Sequence, residues 1–258
     1  MNIVAEPFLD SIKEISIRAG KEIMRIRTQG FSQANKEDNS PVTEADHASN
    51  ELITSELRSL FPEIPIVSEE GEQESSANKF FLVDPLDGTK EFLNGFPDFT
   101  VNIALIENQR PVLGVVHLPM TGETYSGNKD GARKSLGDQT WSIAVSSREQ
   151  GPRIVASRSH LDRETEDFIE VSENADVVKA GSSAKFCLIA EGAAEVYPRF
   201  GRTMEWDTAA GQAVLEAAGG KVLNSKTYQE LVYGKPGYEN PGFVAVSDLR
   251  ILLGRQSN

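Results

Sequence analysis

The stretch FFLVDPLDGTKEF, residues 80–92, constrains the fold of this chain more than any other. Phe80-Phe81-Leu82-Val83 is a short, unbroken apolar run with the length and composition of a buried strand. Asp84 is expected to close that strand, Pro85 to block further ladder pairing, and Asp87-Gly88 to supply a tight turn. Thr89-Lys90-Glu91-Phe92-Leu93 then reads as the opening of a helix. A strand, a sharp turn and a helix N-terminus in thirteen residues hold two carboxylates beside unpaired backbone N–H groups. Such carboxylates suit a cation, and such N–H groups suit the oxygens of an anion. Taken alone the string also reads as a surface turn, because Asp, Pro and Gly are ordinary turn residues.

The neighbouring segments favour the site. Apolar side chains at Phe8, Ile12, Ile15, Ala19, Ile23 and Ile26 predict a helix with one buried face, ended by Gly30. A polar loop leads into a second helix, with Thr43 as its N-cap and Ala45, Ala48, Leu52, Ile53, Leu57 and Leu60 on its apolar face. Asp46 falls in the first turn of that helix, a place acidic residues also favour for the macrodipole alone. Residues 64–67 predict a short strand that delivers Glu69-Glu70, and residues 71–79 a polar loop. Two neighbouring strand ends would then bring Glu69, Asp84 and Asp87 to one edge.

Residues 99–107, 112–117 and 123–126 predict an antiparallel meander, and residues 127–138, with Gly127, Gly131, Gly137 and mixed charge, read as loop. Near residue 145 the pattern changes to alternating strand and helix. This divides the chain into an N-terminal α+β lobe, 1–145, and a C-terminal α/β lobe, 146–258. In the second lobe Asp207 stands at the start of a small-residue-rich helix that should pack closely on a sheet, and Gly219-Gly220 stops it.

Charge and composition remove several function classes. A net charge of −13 over 258 residues argues against a protein that coats nucleic acid, because phosphate contacts need clustered Lys and Arg. An acidic protein that binds phosphate needs metal ions or a local basic pocket. Cys187 is the only cysteine, so no intrachain disulfide forms, and its apolar setting predicts a core residue rather than a nucleophile. No signal peptide and no membrane-spanning run is read from the sequence, so the expected address is the cytoplasm. The motifs HExxH, CxxC, GxxxxGK[ST] and GxSxG are all absent. Glu69, Asp84, Asp87 and Asp207, each at an element end, are hard oxygen donors suited to Mg²⁺ rather than zinc.

The strings PVTEAD, SEEG, DPLDGTKEF and WDTAAG, in this order and spacing, resemble the inositol monophosphatase superfamily of Mg²⁺-dependent, lithium-sensitive phosphatases over nearly the whole chain. The resemblance implies a layered α-β-α-β-α sandwich with the active site between two lobes. It also implies two or three Mg²⁺ ions held by Glu69, Asp84, the Leu86 carbonyl, Asp87 and Asp207. Residues 36–43 with Asp46, then DGTKEF, ASRSH, GSSAKFC and YPRFG, are similar to the bacterial 3'(2'),5'-bisphosphate nucleotidases of that superfamily. Their substrate is adenosine 3',5'-bisphosphate (PAP), a by-product of sulfur metabolism. A cation at Arg199 suits a second phosphate. By this analogy Glu69, Leu86, Asp87, Gly88, Thr89, His160, Ser183, Lys185, Arg199 and Asp207 hold the substrate. Ala184 departs from the usual GSSLKFC string of these enzymes.

The implied chemistry is in-line attack of a metal-activated water on the 3'-phosphorus, yielding AMP and phosphate. Thr89 would orient the water, and Asp46 or Glu69 would accept its proton. A phosphatase of the same fold acting on inositol or sugar phosphates, a non-catalytic phospho-ligand-binding regulator, and a metal-binding structural protein with Mg²⁺-linked stability but no phosphate release are the competing readings. The expected partner is a small nucleotide bisphosphate and not a nucleic-acid polymer. Nothing in the sequence asks for peripheral association with the cytoplasmic face of the inner membrane, or specifies an oligomeric state.

Overall fold

The computed structural model describes residues 6–35, 41–71, 77–148, 151–158, 162–172 and 174–253. The chain begins with α1 (Glu6–Gln29), a small hairpin of β1 (Gln33–Asn35) and β2 (Pro41–Thr43), and α2 (Glu44–Leu60). Next come β3 (Ile66–Ser68), β4 (Lys79–Asp87), α3 (Thr89–Asn94), β5 (Thr100–Glu107), β6 (Arg110–Leu118), β7 (Glu123–Asn128), β8 (Gly131–Leu136) and β9 (Gln139–Ile143). The remainder is β10 (Arg153–Ser157), α4 (Arg163–Glu170), β11 (Asp176–Ala180), α5 (Ala184–Ala190), β12 (Val196–Arg199), α6 (Glu205–Ala217), β13 (Lys221–Asn224), β14 (Phe243–Val246) and α7 (Arg250–Leu253).

Strands β3 to β9 form one seven-stranded sheet in sequence order, and a five-stranded sheet has the order β11-β10-β12-β14-β13. In the larger sheet only β3 and β4 pair parallel; every other neighbour is antiparallel. The two-residue alternation of strand side chains builds the layers. Phe81 and Val83 of β4 face one core with Ile12, Ile15 and Ile23 of α1 and Ile53 and Leu57 of α2. Phe80 and Leu82, one residue out of phase, face a second core with Ala209, Ala210 and Val214 of α6, Phe186 of α5, and Tyr197 and Phe243 of the smaller sheet. On the far face of that smaller sheet Ile154, Val196 and Val244 meet Ile251 and Leu252, with Phe168 of α4 packed against them. The result is the α-β-α-β-α layering that the resemblance implies. Each large apolar side chain so enclosed contributes roughly 1.5–3 kcal/mol relative to exposure.

Two local expectations are corrected. Asp84 does not close β4. The strand runs on to Asp87 through a bulge: pairing passes from Asp84↔Asn102 to Asp87↔Thr100, so Pro85 and Leu86 face a single partner residue. Pro85 is tolerated because a bulge needs no donor there, and the bulge re-aims the strand end. The 127–138 segment is not a loop. It contributes Gly127 and Asn128 to β7 and the whole of β8, and β9 follows as an exposed edge strand. Its glycine at 127 is a packing device, since a β-carbon there would lie 2.7 Å from Val214 Cα and 2.9 Å from Ala217 Cβ of α6. Thr43 is the predicted N-cap, in a capping box with Asp46. Among the described residues no helix is long and apolar enough to cross a membrane.

Candidate active site

The end of β4, the start of α3, the end of β12 and the start of α6 surround a cavity of about 330 Å³. Glu69, Asp84, Leu86, Asp87, Gly88, Thr89, Lys185, Arg199 and Asp207 all line it. Segments more than a hundred residues apart are thus brought to one place.

Each carboxylate is held by its own local structure. The Glu69 N–H donates to the Val83 carbonyl at 3.1 Å, extending the parallel pairing by one residue. Asp84 is buried, and its Oδ1 accepts from the Leu86 N–H at 3.1 Å across the bulge. Asp87 Oδ2 accepts from the Ser183 N–H at 2.6 Å and from Asn102 Nδ2 at 3.3 Å. Asp207 sits in the first turn of α6, where its Oδ2 accepts from the Met204 N–H at 2.8 Å. Among the described residues no three Asp, Glu, His or Cys side chains are gathered tightly enough to hold an ion between them. The acidic groups are neighbours through their field. Burial pushes the Asp207 carboxyl well above its usual range, and the charges of Asp87 and Glu69 push it further. Burial raises Asp87 to about 6, against the attraction of Lys185. Lys185 is lowered to about 8 by burial, with Asp87 opposing that fall, and its Nζ stands 5.1 Å from the centre of the Tyr197 ring.

Two expected site residues lie behind the cavity wall. Asp46 is 2% exposed; its Oδ2 accepts from the Thr43 N–H at 2.7 Å and the Thr43 hydroxyl at 2.6 Å. Its Oδ1 lies 3.2 Å from Thr89 Oγ1, which also lies 3.4 Å from the Leu86 carbonyl oxygen. Burial raises Asp46, while the bonds from Thr43 pull it down. Ser183 also turns inward: its hydroxyl donates to Asn102 Oδ1 at 2.6 Å and lies 2.8 Å from Thr100 Oγ1, while its N–H serves Asp87. His160 lies outside the described residues. Ala184 is buried in the central core and does not line the cavity, so the missing leucine side chain is a packing change.

The cavity also contains residues that sequence reasoning did not select: Pro41, Ser157, Ser182, Tyr197 and Arg202. Trp206 belongs both to the central core and to the cavity wall. Tyr197 and Arg202 flank Arg199 within YPRFGR, so proximity to an expected cation was the one signal available.

A carboxylate-rich cavity between two sheets in an α-β-α-β-α sandwich defines the class. The chain belongs to the inositol monophosphatase family, whose model matches residues 5–248. Within the family it is 42% identical over 241 residues to a protein named 3'(2'),5'-bisphosphate nucleotidase CysQ from Escherichia coli O6:H1, covering 91% of this chain and 98% of that one. The protein of the same name from Buchnera aphidicola is 42% identical over 228 residues, 86% of each chain. The crystal structure of CysQ from Bacteroides thetaiotaomicron superposes with a TM-score of 0.85 at 36% identity, covering 96% of this chain and 100% of that one.

Proposed function

We propose that this protein is a 3'(2'),5'-bisphosphate nucleotidase that removes the 3'-phosphate of PAP and releases AMP and phosphate. One observation carries the reading. A single cavity holds both an acidic set, Glu69, Asp84, Asp87 and Asp207, and a basic set, Lys185 and Arg199. A phosphomonoester would engage one set; a nucleoside bisphosphate engages both. The relatives that carry this activity in their names support it over most of their length.

The donor set fits Mg²⁺. The metal-side groups are hard oxygens, and a divalent cation would relieve the buried carboxyl of Asp207, opposed by Asp87 and Glu69. We assign two or three ions to Glu69, Asp84, the Leu86 carbonyl, Asp87 and Asp207, each ion taking one or two of these donors while water and phosphate oxygens would complete its shell. Bound there, Mg²⁺ would neutralise phosphoryl charge and make a water more acidic.

The chain's own residues do the rest. Thr89 Oγ1, between Asp46 and the Leu86 carbonyl, has one proton to donate and lone pairs left to accept from a water, which sets that water's orientation. The proton would pass either through Thr89 to Asp46, whose Oδ1 lies 3.2 Å from Thr89 Oγ1, or to Glu69, which lines the same cavity. Lys185 and Arg199 hold the second phosphate, and Ser183 keeps Asp87 oriented through its N–H. The substrate is a small molecule, and the proposed address is the cytoplasm, where such a nucleotide is found as a metabolite.

The test is phosphate release with Mg²⁺ from PAP, inositol 1-phosphate and fructose 1,6-bisphosphate, each with and without lithium. Preference for PAP with formation of AMP is expected. Preference for inositol 1-phosphate would overturn the nucleotide assignment, and no release from any substrate would overturn the enzymatic one.

A further inference from the structure

Asp98 is a nearly buried carboxylate, 8% exposed, that lies outside the cavity and that the chemistry above leaves unused. It sits between α3 and β5, and it gathers two segments that belong with the other sheet. Its Oδ2 accepts from the Gly181 N–H, in the turn between β11 and α5, and from Arg158 Nη2 at 3.2 Å. Arg158, just past β10, is itself fixed 4.7 Å over the Phe96 ring and donates to the Lys179 carbonyl at 3.2 Å. The other oxygen, Oδ1, is buried with no hydrogen-bond partner among the described residues. A purely structural contact at this place would favour a side chain without that penalty.

The turn that Asp98 anchors is the one that aims Asp87. Gly181 is so closely enclosed that a β-carbon would lie 2.6 Å from Glu91 Cγ and 2.8 Å from the Asp98 carbonyl oxygen. Ser182 follows at φ +46°, in the left-handed region that L-residues occupy only when their surroundings enforce it. Ser183 comes next, with its N–H on Asp87 Oδ2 and its hydroxyl on Asn102. The strained residue is therefore pinned on one side by Asp98 and on the other by Asp87 and Asn102. Releasing the first pin lets Ser182 relax toward ordinary φ, which carries the Ser183 N–H away from Asp87.

We propose that Asp98, seated by Arg158, is a positioning residue for the cation site: it holds the 181–183 turn across the two sheets so that Ser183 keeps Asp87 aimed. The inference rests on the reading of Asp87 as a cation ligand. Its test is Mg²⁺ binding to the full chain by titration calorimetry, beside thermal melting without metal, for wild type, Asp98→Ala, Asp98→Asn and Arg158→Met. Asp98→Ala is expected to weaken Mg²⁺ binding about tenfold, the low end for groups that orient metal ligands. Asp98→Asn, whose amide oxygen still accepts from Gly181, should regain most of that loss. Mg²⁺ affinity within about twofold of wild type in Asp98→Ala, whatever its melting temperature, overturns the proposal, as does an Asn variant no better than Ala. Should Asp98→Ala fail to fold, the half-exposed Arg158→Met decides: binding weakened about threefold supports the proposal and unchanged binding overturns it. Failure of the underlying functional reading is visible separately, as a wild-type chain that binds no Mg²⁺.

Discussion

Asp87→Asn separates what the site does for the fold from what it does for the chemistry. Burial raises the Asp87 carboxyl from 3.8 to about 6, so holding it ionised at pH 7 in the metal-free protein costs roughly 3 kcal/mol at most. The attraction of Lys185 is already contained in that figure. A carboxyl raised in the folded state contributes fully below its unfolded value and loses that contribution as pH rises through about 6, so the penalty is present at pH 7. The side chain borders an open cavity, and solvent there brings the expected gain in Asp87→Asn down to about 1–3 kcal/mol. Asparagine keeps an acceptor for the Ser183 N–H, so the local geometry survives. For a chain of this size the gain corresponds to a melting temperature higher by roughly 2–10 °C in EDTA. Mg²⁺ at a thousand times its Kd reverses the order, because it adds about 4.1 kcal/mol to wild type and little to the variant. Melting curves in EDTA and across a Mg²⁺ series, with phosphate release measured in parallel, read all of this. A variant less stable than wild type in EDTA, or one fully active at ordinary Mg²⁺, refutes the reasoning.

Three further outcomes are expected. Arg199→Ala should raise KM for PAP about 10–100-fold, the worth of a charge-assisted hydrogen bond, and leave turnover of a phosphomonoester nearly unchanged; parallel losses on both substrates would remove Arg199 from the second-phosphate role. Gly114→Ala should destabilise by about 1–3 kcal/mol, read by urea unfolding. Its β-carbon would lie 2.7 Å from Ala213 Cβ and 2.9 Å from Ala210 Cα, pushing α6 and with it Asp207 off the sheet, so a fully stable and active variant contradicts the packing. Burial holds the His117 imidazole down to about 4, so between that value and about 6.5 the unfolded chain binds a proton that the folded chain does not. Stability should therefore fall as pH drops through this window, by at most roughly 3 kcal/mol, and His117→Gln should show a flatter fall in urea titrations at pH 5 and 7; an identical slope assigns the effect elsewhere.

Local pattern alone determined a good deal about this protein. The six apolar positions of α1, the N-cap at Thr43 with Asp46 in the first turn, the apolar run of β4 and the acidic residue opening α6 are set by interactions within a few residues, and all are present as expected. The family strings carried the layer architecture as well, since they occur in order along nearly the whole chain.

Only tertiary structure decided how these pieces meet. The bulge at Pro85 and Leu86 exists because β4 must pair with Asn102 and then Thr100, a constraint held in β5 and not in the DPLDG string. The edge pair β8 and β9 is polar and glycine-bearing, and becomes strand because β7 offers a free edge to pair with. The inward turn of Ser183 and the anchoring by Asp98 depend on groups 60 to 96 residues apart in the chain. Periodicity reports the side on which a residue is buried; it says nothing of which distant donor will arrive there. Backbone strain at Ser182 and the raised carboxyls of Asp87 and Asp207 are in turn consequences of that arrival, because both arise from burial and crowding that no short segment possesses by itself.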